Sequence, residues 1–234
     1  MSRGILYLLP CPIGDGAPEE VLPAANFGIM RSLDYFIVEN VRSARRFLSR
    51  AGVKPIDALE FVELNEHTRP EEVEAMLIPL LAGRSAGVIS EAGVPAVADP
   101  GAEVVAAAHR KGIRVVPLVG PSSILLALMA SGANGQSFAF NGYLPVREPE
   151  RGRAIRQFER RATMERQTQI FIETPYRSAR LLSDFLIICA PATRLTVAAD
   201  VTAPDEFIRS ATIAEWKRLP TPALDKRPAI FILG

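Results

Sequence analysis

Residues 90 to 101 read SEAGVPAVADPG: two carboxylates, Glu91 and Asp99, set among alanines, glycines, valines and prolines, with no basic side chain. Two comparable stretches, PCPIGDG from Pro10 and GPSS from Gly120, follow other apolar runs. Loops of this kind bind a flat heterocycle or a zwitterion chiefly through main-chain N–H and C=O groups and apolar walls, because small side chains let the backbone come close. A phosphate calls for arginine or a run of free N–H groups, and these loops supply little positive charge. The pattern suits a neutral or zwitterionic adenosyl cofactor better than ATP. Taken as local structure alone, GPSS is equally a helix N-cap and ADPG a turn.

Other chemistries lack their residues. A dinucleotide fingerprint needs GxGxxG opening the first helix, but PCPIGDGAPEE has only Gly14 and Gly16, without the third glycine or the spacing. Neither a phosphate-binding GxxxxGK[ST] loop nor a GxSxG nucleophile elbow occurs. His67 and His109 are the only histidines, and Cys11 and Cys189 form no CxxC pair, so no metal site is expected. Both cysteines read as small buried residues.

The elements that position these loops follow from periodicity. Apolar, β-branched runs (ILYLL, YFIV, AGVI, RVVPLV, then QIFIE, LTVAA, AIFIL) alternate with helical patterns. That alternation predicts an α/β fold with largely parallel sheets covered on both faces. Thr68 and Glu71 read as a capping box ahead of VEAMLIPLLAG, with Pro79 shortening that helix and Gly83 stopping it. SGANGQS, Ser131 to Ser137, breaks the pattern and marks a division into domains 1–134 and 135–234. No fixed-period repeat or low-complexity tract is present. Ligands of open α/β sheets sit beyond the carboxyl ends of the strands, which makes the loops after AGVI, RVVPLV, QIFIE and LTVAA the places to look.

The 234 residues are 48% hydrophobic, enough to fill two such cores. Twenty-seven Lys and Arg face 26 Asp and Glu, so a net charge of +1 gives no global field toward nucleic acid, and any basic patch is local. The five-residue apolar run before Pro10 is too short for a signal peptide, and ILLALMA at 124 to 130 is too short to span a bilayer. A cytoplasmic protein without membrane attachment is expected.

Over nearly its whole length the chain resembles the tetrapyrrole methylase superfamily of S-adenosylmethionine-dependent methyltransferases, and within it the bacterial 16S rRNA (cytidine-2'-O)-methyltransferase group. LYLLPCPIG is similar to the family's LYLVATPIG, ENVRSARRFL to EDTRxTRxLL, SEAGVPAVADPG to SDAGTPxISDPG, GPSS to GPSA, GYLP to GFLP and ETPYR to ESxHR. The resemblance implies two α/β domains with a cofactor cleft between them, S-adenosyl-L-methionine as cofactor, no metal, and a homodimer. Carried over residue by residue, the cofactor contacts fall on Pro10 and Pro12, on Ala92, Gly93, Val94 and Val97, and on Ser122 and Ser123. In the second domain they fall on Glu173, Thr174, Ala199, Pro228 and Ala229. The first domain would also present the acceptor, with His67 in NEHT resembling HEHN.

Methyl transfer from a sulfonium is an in-line displacement that placement and exclusion of water accelerate. A ribose hydroxyl also needs a path for its proton, and Glu39 and Glu91, each beside a strand terminus, are the candidate bases. Their alternative role is to cap a helix or pair with Arg42. Arg42 holds a substrate phosphate or carboxylate, or closes such a pair. The chain departs from the rRNA group at Glu91, Val94 and Asn40–Val41, where that group has Asp, Thr and Asp-Thr; AADVT stands for ARELT, and the sequence ends directly after its last strand. These departures bear on the substrate more than on the cofactor.

Arg42, Arg45, Arg46 and Arg50 recur on one helical face, and Arg153, Arg156 and Arg160 on another, a spacing that fits a phosphate backbone. Glu148, Glu150, Glu159 and Glu165 dilute the second set, and a solvated helix face is the alternative. Tyr143 and Tyr176 suit stacking on a base or on a tetrapyrrole. The expected function is methyl transfer to RNA, a ribose 2'-oxygen of ribosomal RNA, with RNA or a ribosomal subunit as partner and a part in rRNA processing. A small acceptor such as a tetrapyrrole, or a non-catalytic cofactor-binding dimer, are the alternatives.

Overall fold

Tyr35, Phe36, Ile37 and Val38 are all buried, as a strand covered by helices on both sides must be. The computed structural model describes residues 2–65 and 67–234. The chain forms two compact units, Met1–Ser122 and Ser123–Gly234.

The first unit runs β1 (Ile5–Leu8), α1 (Pro18–Val21), α2 (Ala24–Ser32), β2 (Tyr35–Val38), α3 (Val41–Arg50), a 3-10 turn at Ile56–Ala58, β3 (Glu60–Glu63), α4 (Pro70–Met76), α5 (Ile78–Leu81), β4 (Ala86–Ile89), α6 (Ala102–Arg110) and β5 (Arg114–Pro117). Its sheet has the order β3-β2-β4-β1-β5, and every pairing is parallel. Strand alternation sends Leu6, Ile37 and Val88 to one face, under Val73, Met76 and Val104 of α4 and α6. Phe36, Val38 and Ile89 meet Phe27, Met30 and Phe47 of α2 and α3 on the other.

Helix α4 starts one residue later than the spacing of Thr68 and Glu71 suggests. Pro70 takes the first helical position, where its missing N–H is harmless, and Glu72 accepts the Arg69 N–H at 2.8 Å. Thr68 Oγ1 instead accepts the N–H of Asn65 at 2.9 Å. Pro79 does divide the pattern, giving the separate α4 and α5.

The second unit runs α7 (Ser123–Ser131), β6 (Phe138–Phe140), α8 (Glu150–Met164), β7 (Thr168–Glu173), α9 (Ser178–Ile188), β8 (Arg194–Ala199), β9 (Phe207–Thr212), α10 (Ile213–Trp216) and β10 (Ala229–Leu233). The order is β6-β7-β10-β8-β9; only β6 and β7 run parallel. The departure from a parallel sheet has a local cause: the chain between β8 and β9 is too short for a helical crossover and returns antiparallel. Phe171, Val197 and Phe231 face Ile155, Leu181, Phe185 and Trp216 of α8, α9 and α10. Ile170, Ala198 and Ile230 face Ile124, Ala127 and Leu128 of α7. That packing places α7 in the second unit and moves the division from the expected 134/135 to 122/123. Among the described residues no helix is long and apolar enough to cross a membrane.

Candidate functional site

The chain leaves β1 and β2 toward the α2 and α3 face and leaves β4, which lies between them, toward α6. Loops diverging on both sides of one strand open a crevice at its carboxyl end. The stretch 90–101 follows β4 there. Cys11 N–H donates to Gly93 O at 2.8 Å, bridging the loops after β1 and β4. Pro10 is buried, and its ring lies directly against Gly120 of the loop after β5. Pro10, Pro12, Ala92 and Gly93 are thus gathered at one end of the first sheet. Ser122 closes this unit and Ser123 opens α7.

The stretch 90–101 folds back on itself. Ala96 and Ala98 hold positive φ values of 68° and 63°, and Ala96 N–H reaches Pro100 O at 3.3 Å. Gly101, at φ 128°, lies so close to Ala96 that a β-carbon would sit 3.3 Å from its nitrogen. Small residues are therefore required by the path of the backbone as well as by any ligand.

This loop lines two cavities. One, of about 210 Å³, is polar and bounded by Cys11, Pro12, Ser43, Arg46, Ser90 and Glu91. The other, of about 490 Å³, lies on the α6 side among Leu8, Val94, Val97, Val105, His109 and Leu118, within the size range of small-molecule sites. Val94 and Val97 thus line a different cavity from Pro12 and Glu91.

The carboxylates form a connected group. Glu39 Oε2 accepts the backbone N–H of Glu91 at 3.0 Å, and Glu91 Oε2 accepts the Ser43 hydroxyl at 3.0 Å. Asn40 caps α3, accepting Ser43 N–H at 3.1 Å. Arg42 is exposed and has no ion-pair partner among the described residues. Asp99, in the ADPG segment, is half-buried beside them. Burial, then the charge of Glu39, pushes its carboxyl up to about 6; Glu91 adds to this and a hydrogen bond with Ser90 opposes it. Burial above all holds the Cys11 thiol far up, with Glu91 and Asp99 adding, so it remains protonated.

In the second unit the expected residues fall into one row. Ala229 is in register with Glu173 on one side and with Ala199 on the other. Pro228 precedes it, and its carbonyl accepts the N–H of Asp200 at 3.2 Å. Glu173 is buried; its Oε1 takes the Thr174 N–H at 2.7 Å and the Arg177 guanidinium at 2.6 Å. His67 lies elsewhere, in a groove of about 670 Å³ beside edge strand β3, with Glu63, Asn65 and Met76.

The two arginine stretches differ. On α3, Arg45 pairs with Asp57 and covers Phe61, while Arg50 is bound to the carbonyls of Asp15 and Gly16. On α8, Arg156 and Arg160 are exposed and have no acidic partner among the described residues. Among the described residues no cluster suits a metal ion.

Comparison with known proteins adds four findings. A model of the tetrapyrrole (corrin/porphyrin) methylases matches residues 13–217. The ribosomal RNA small subunit methyltransferase I of Vibrio cholerae is 29% identical over 211 residues, 90% of this chain and 69% of that protein. The protein of that name from Halalkalibacterium halodurans is 32% identical over 227 residues, covering 94% and 73%. Among solved structures, the methyltransferase CobJ superposes with a TM-score of 0.63 at 18% identity, over 99% of this chain and 94% of that one, a likeness of fold.

Proposed function

The chain belongs to the tetrapyrrole (corrin/porphyrin) methylase family, and from that premise we propose that it is an S-adenosylmethionine-dependent methyltransferase acting on small-subunit ribosomal RNA, at a ribose 2'-oxygen. The observation that carries the cofactor is the knit of loops at β1, β4 and β5. Pro10 against Gly120 and Cys11 bridged to Gly93 make a backbone-rich surface, and Val94 and Val97 line an apolar cavity of about 490 Å³. Main chain, proline and valine suit a neutral adenosyl group and fit a triphosphate poorly. Pro12, Ala92, Ser122 and Ser123 belong to the same proposed contacts, as do Glu173, Thr174, Ala199, Pro228 and Ala229 in the second unit. The acceptor rests on the relatives named above.

When bound, the cofactor supplies an electrophilic methyl group. The chain's own contribution is to hold the hydroxyl and take its proton. Asp99, ionising near 6, is a stronger proton acceptor than an ordinary carboxylate, a basicity that comes first from its burial and then from the neighbouring Glu39 and Glu91. Arg42, exposed at the start of α3 with no ion-pair partner among the described residues, would hold a phosphate of the acceptor strand. The same reading makes the protein a cytoplasmic homodimer; Leu125 and Met129, both exposed on α7, offer an apolar face for the contact.

The test is incubation with radiolabelled S-adenosylmethionine and total RNA from a strain deleted for the gene, followed by separation of RNA from small molecules. Label in one small-subunit RNA is the expected result. No label in RNA, with calorimetry still showing cofactor binding, would overturn the acceptor and move it to a small molecule or to a binding role.

A further inference from the structure

We propose that the second unit carries a docking surface for single-stranded RNA, formed by Tyr143, Arg147, Arg156, Arg160, Tyr176 and Arg180; the proposal rests on the reading of the protein as an RNA methyltransferase. Strands β6 and β7 are parallel, so the loops after them, which hold Tyr143 and Tyr176, leave the same end of the sheet. Tyr143 is 55% exposed and Tyr176 86%. The first loop runs through Arg147 into α8, and the second runs into α9, which packs beside α8 on one face of the sheet.

Three of the four acids interleaved with the arginines are turned to other work, and the fourth, Glu165, lies exposed just past the end of α8. Glu148 pairs with the buried Arg151, and Glu150 with Arg153. Glu159 accepts the Ala190 N–H at 2.7 Å and the Thr193 hydroxyl. Arg147, Arg156, Arg160 and Arg180 are left exposed without an acidic partner among the described residues. Arg156 and Arg160 stand one turn apart, about 6 Å along the helix. Basic residues outnumber acidic ones in residues 123–234, whereas acids outnumber bases in residues 1–122, so the charge complementary to a polyanion is concentrated here.

A row of unpaired guanidinium groups follows phosphates, while exposed tyrosines give unstacked bases a face to lie on. Duplex RNA keeps its bases stacked and paired, and the tyrosines would find nothing to stack on. The row of Glu173, Ala229 and Ala199 lies at this same end of the sheet. An acceptor strand held here has its splayed bases beside the residues proposed for the cofactor.

The experiment measures binding of a short fluorescein-labelled RNA of mixed sequence, single-stranded or annealed to its complement, to the full chain at several salt concentrations. Substituting Arg147→Gln, Arg156→Gln and Arg160→Gln together should reduce the slope of log affinity against log salt by about 2. Tyr176→Ala should weaken single-strand binding about tenfold and leave duplex binding unchanged. All four positions are exposed, and circular dichroism melts should match the parent. An unchanged slope in the triple variant overturns the surface, and equal loss of single-strand and duplex binding in Tyr176→Ala overturns the choice of single strands. Transfer of labelled methyl to RNA is followed in parallel. RNA methylated equally well by all variants removes the surface and leaves the enzymatic reading; the expected binding without methylation of any RNA does the reverse.

Discussion

Pro10 and Gly120 meet with no room between them: a β-carbon on residue 120 would overlap the proline ring. The loop after β1 and the loop after β5 are thereby fixed to one another, and Gly120 is required there for space, since its φ is not in the left-handed region. Gly120→Ala should destabilise the protein by about 1–3 kcal/mol, the usual effect of overpacking. Because it parts two loops proposed to hold the adenosyl group, it should also weaken S-adenosylmethionine binding. Denaturant unfolding and calorimetry measure the two effects; unchanged stability would mean the loops are not held together.

Asp99 ties stability to pH with a definite sign. Its folded carboxyl ionises near 6 against an ordinary 3.8. Between those values the folded chain keeps a proton that the unfolded chain has lost, so this group's contribution to stability is full below about pH 4 and is lost as pH rises through 6. Asp99→Asn should therefore be more stable than the parent above pH 6, by about 1 kcal/mol once solvent screening of a half-buried group is allowed for, and no more stable at pH 4. Methyl transfer should show an acid limb centred near pH 6 in the parent and fall about 10²–10⁴-fold in the variant. A variant with full activity and an unshifted limb would remove Asp99 as proton acceptor.

The alternation of apolar runs with helical patterns makes the α/β class and the first unit's parallel sheet legible, because strands such as YFIV and AGVI, buried on both faces, carry no other pattern. Antiparallel pairing in the second sheet was hidden: β9 reads FIRSAT, whose arginine and serine mask a strand, and without it the return from β8 cannot be seen. Helix α7 looked like the end of the first unit because a glycine-rich break follows it, and only the packing of Ile124 and Leu128 on Ile230 and Ala198 assigns it to the second. At the site, Glu39 and Glu91 stand at strand ends and were legible for that reason. Asp99 was not, since its shift arises first from burial and then from the charge of Glu39, sixty residues earlier in the chain and brought near by the adjacency of β2 and β4.

Val94 tests the apolar cavity. Arginine there adds a long, charged side chain to a space walled by Leu8, Val97, Val105 and Leu118. Val94→Arg should abolish S-adenosylmethionine binding while moving the melting temperature little, because the residue is only half-buried and the guanidinium can reach water. Calorimetry giving the parent affinity would show that the adenosyl group lies outside this cavity.

Arg151 separates a structural arginine from those proposed to meet RNA. It is only 5% exposed, donates through Nε to Asp184 Oδ2 at 2.7 Å and through Nη1 to Val146 O, and pairs with Glu148 at 3.1 Å. These bonds tie α8 to α9 and to the loop that precedes α8. Arg151→Ala leaves Asp184 charged and largely buried without its partner, which should cost about 3–5 kcal/mol. Arg156→Gln, a few residues along the same helix, should leave the melting temperature unchanged and weaken RNA binding. Thermal melts of the two variants, with RNA titrations kept below both transitions, give the comparison. If Arg151→Ala melts like the parent, the ion pair does not hold the two helices together, and the surface their packing presents has some other support.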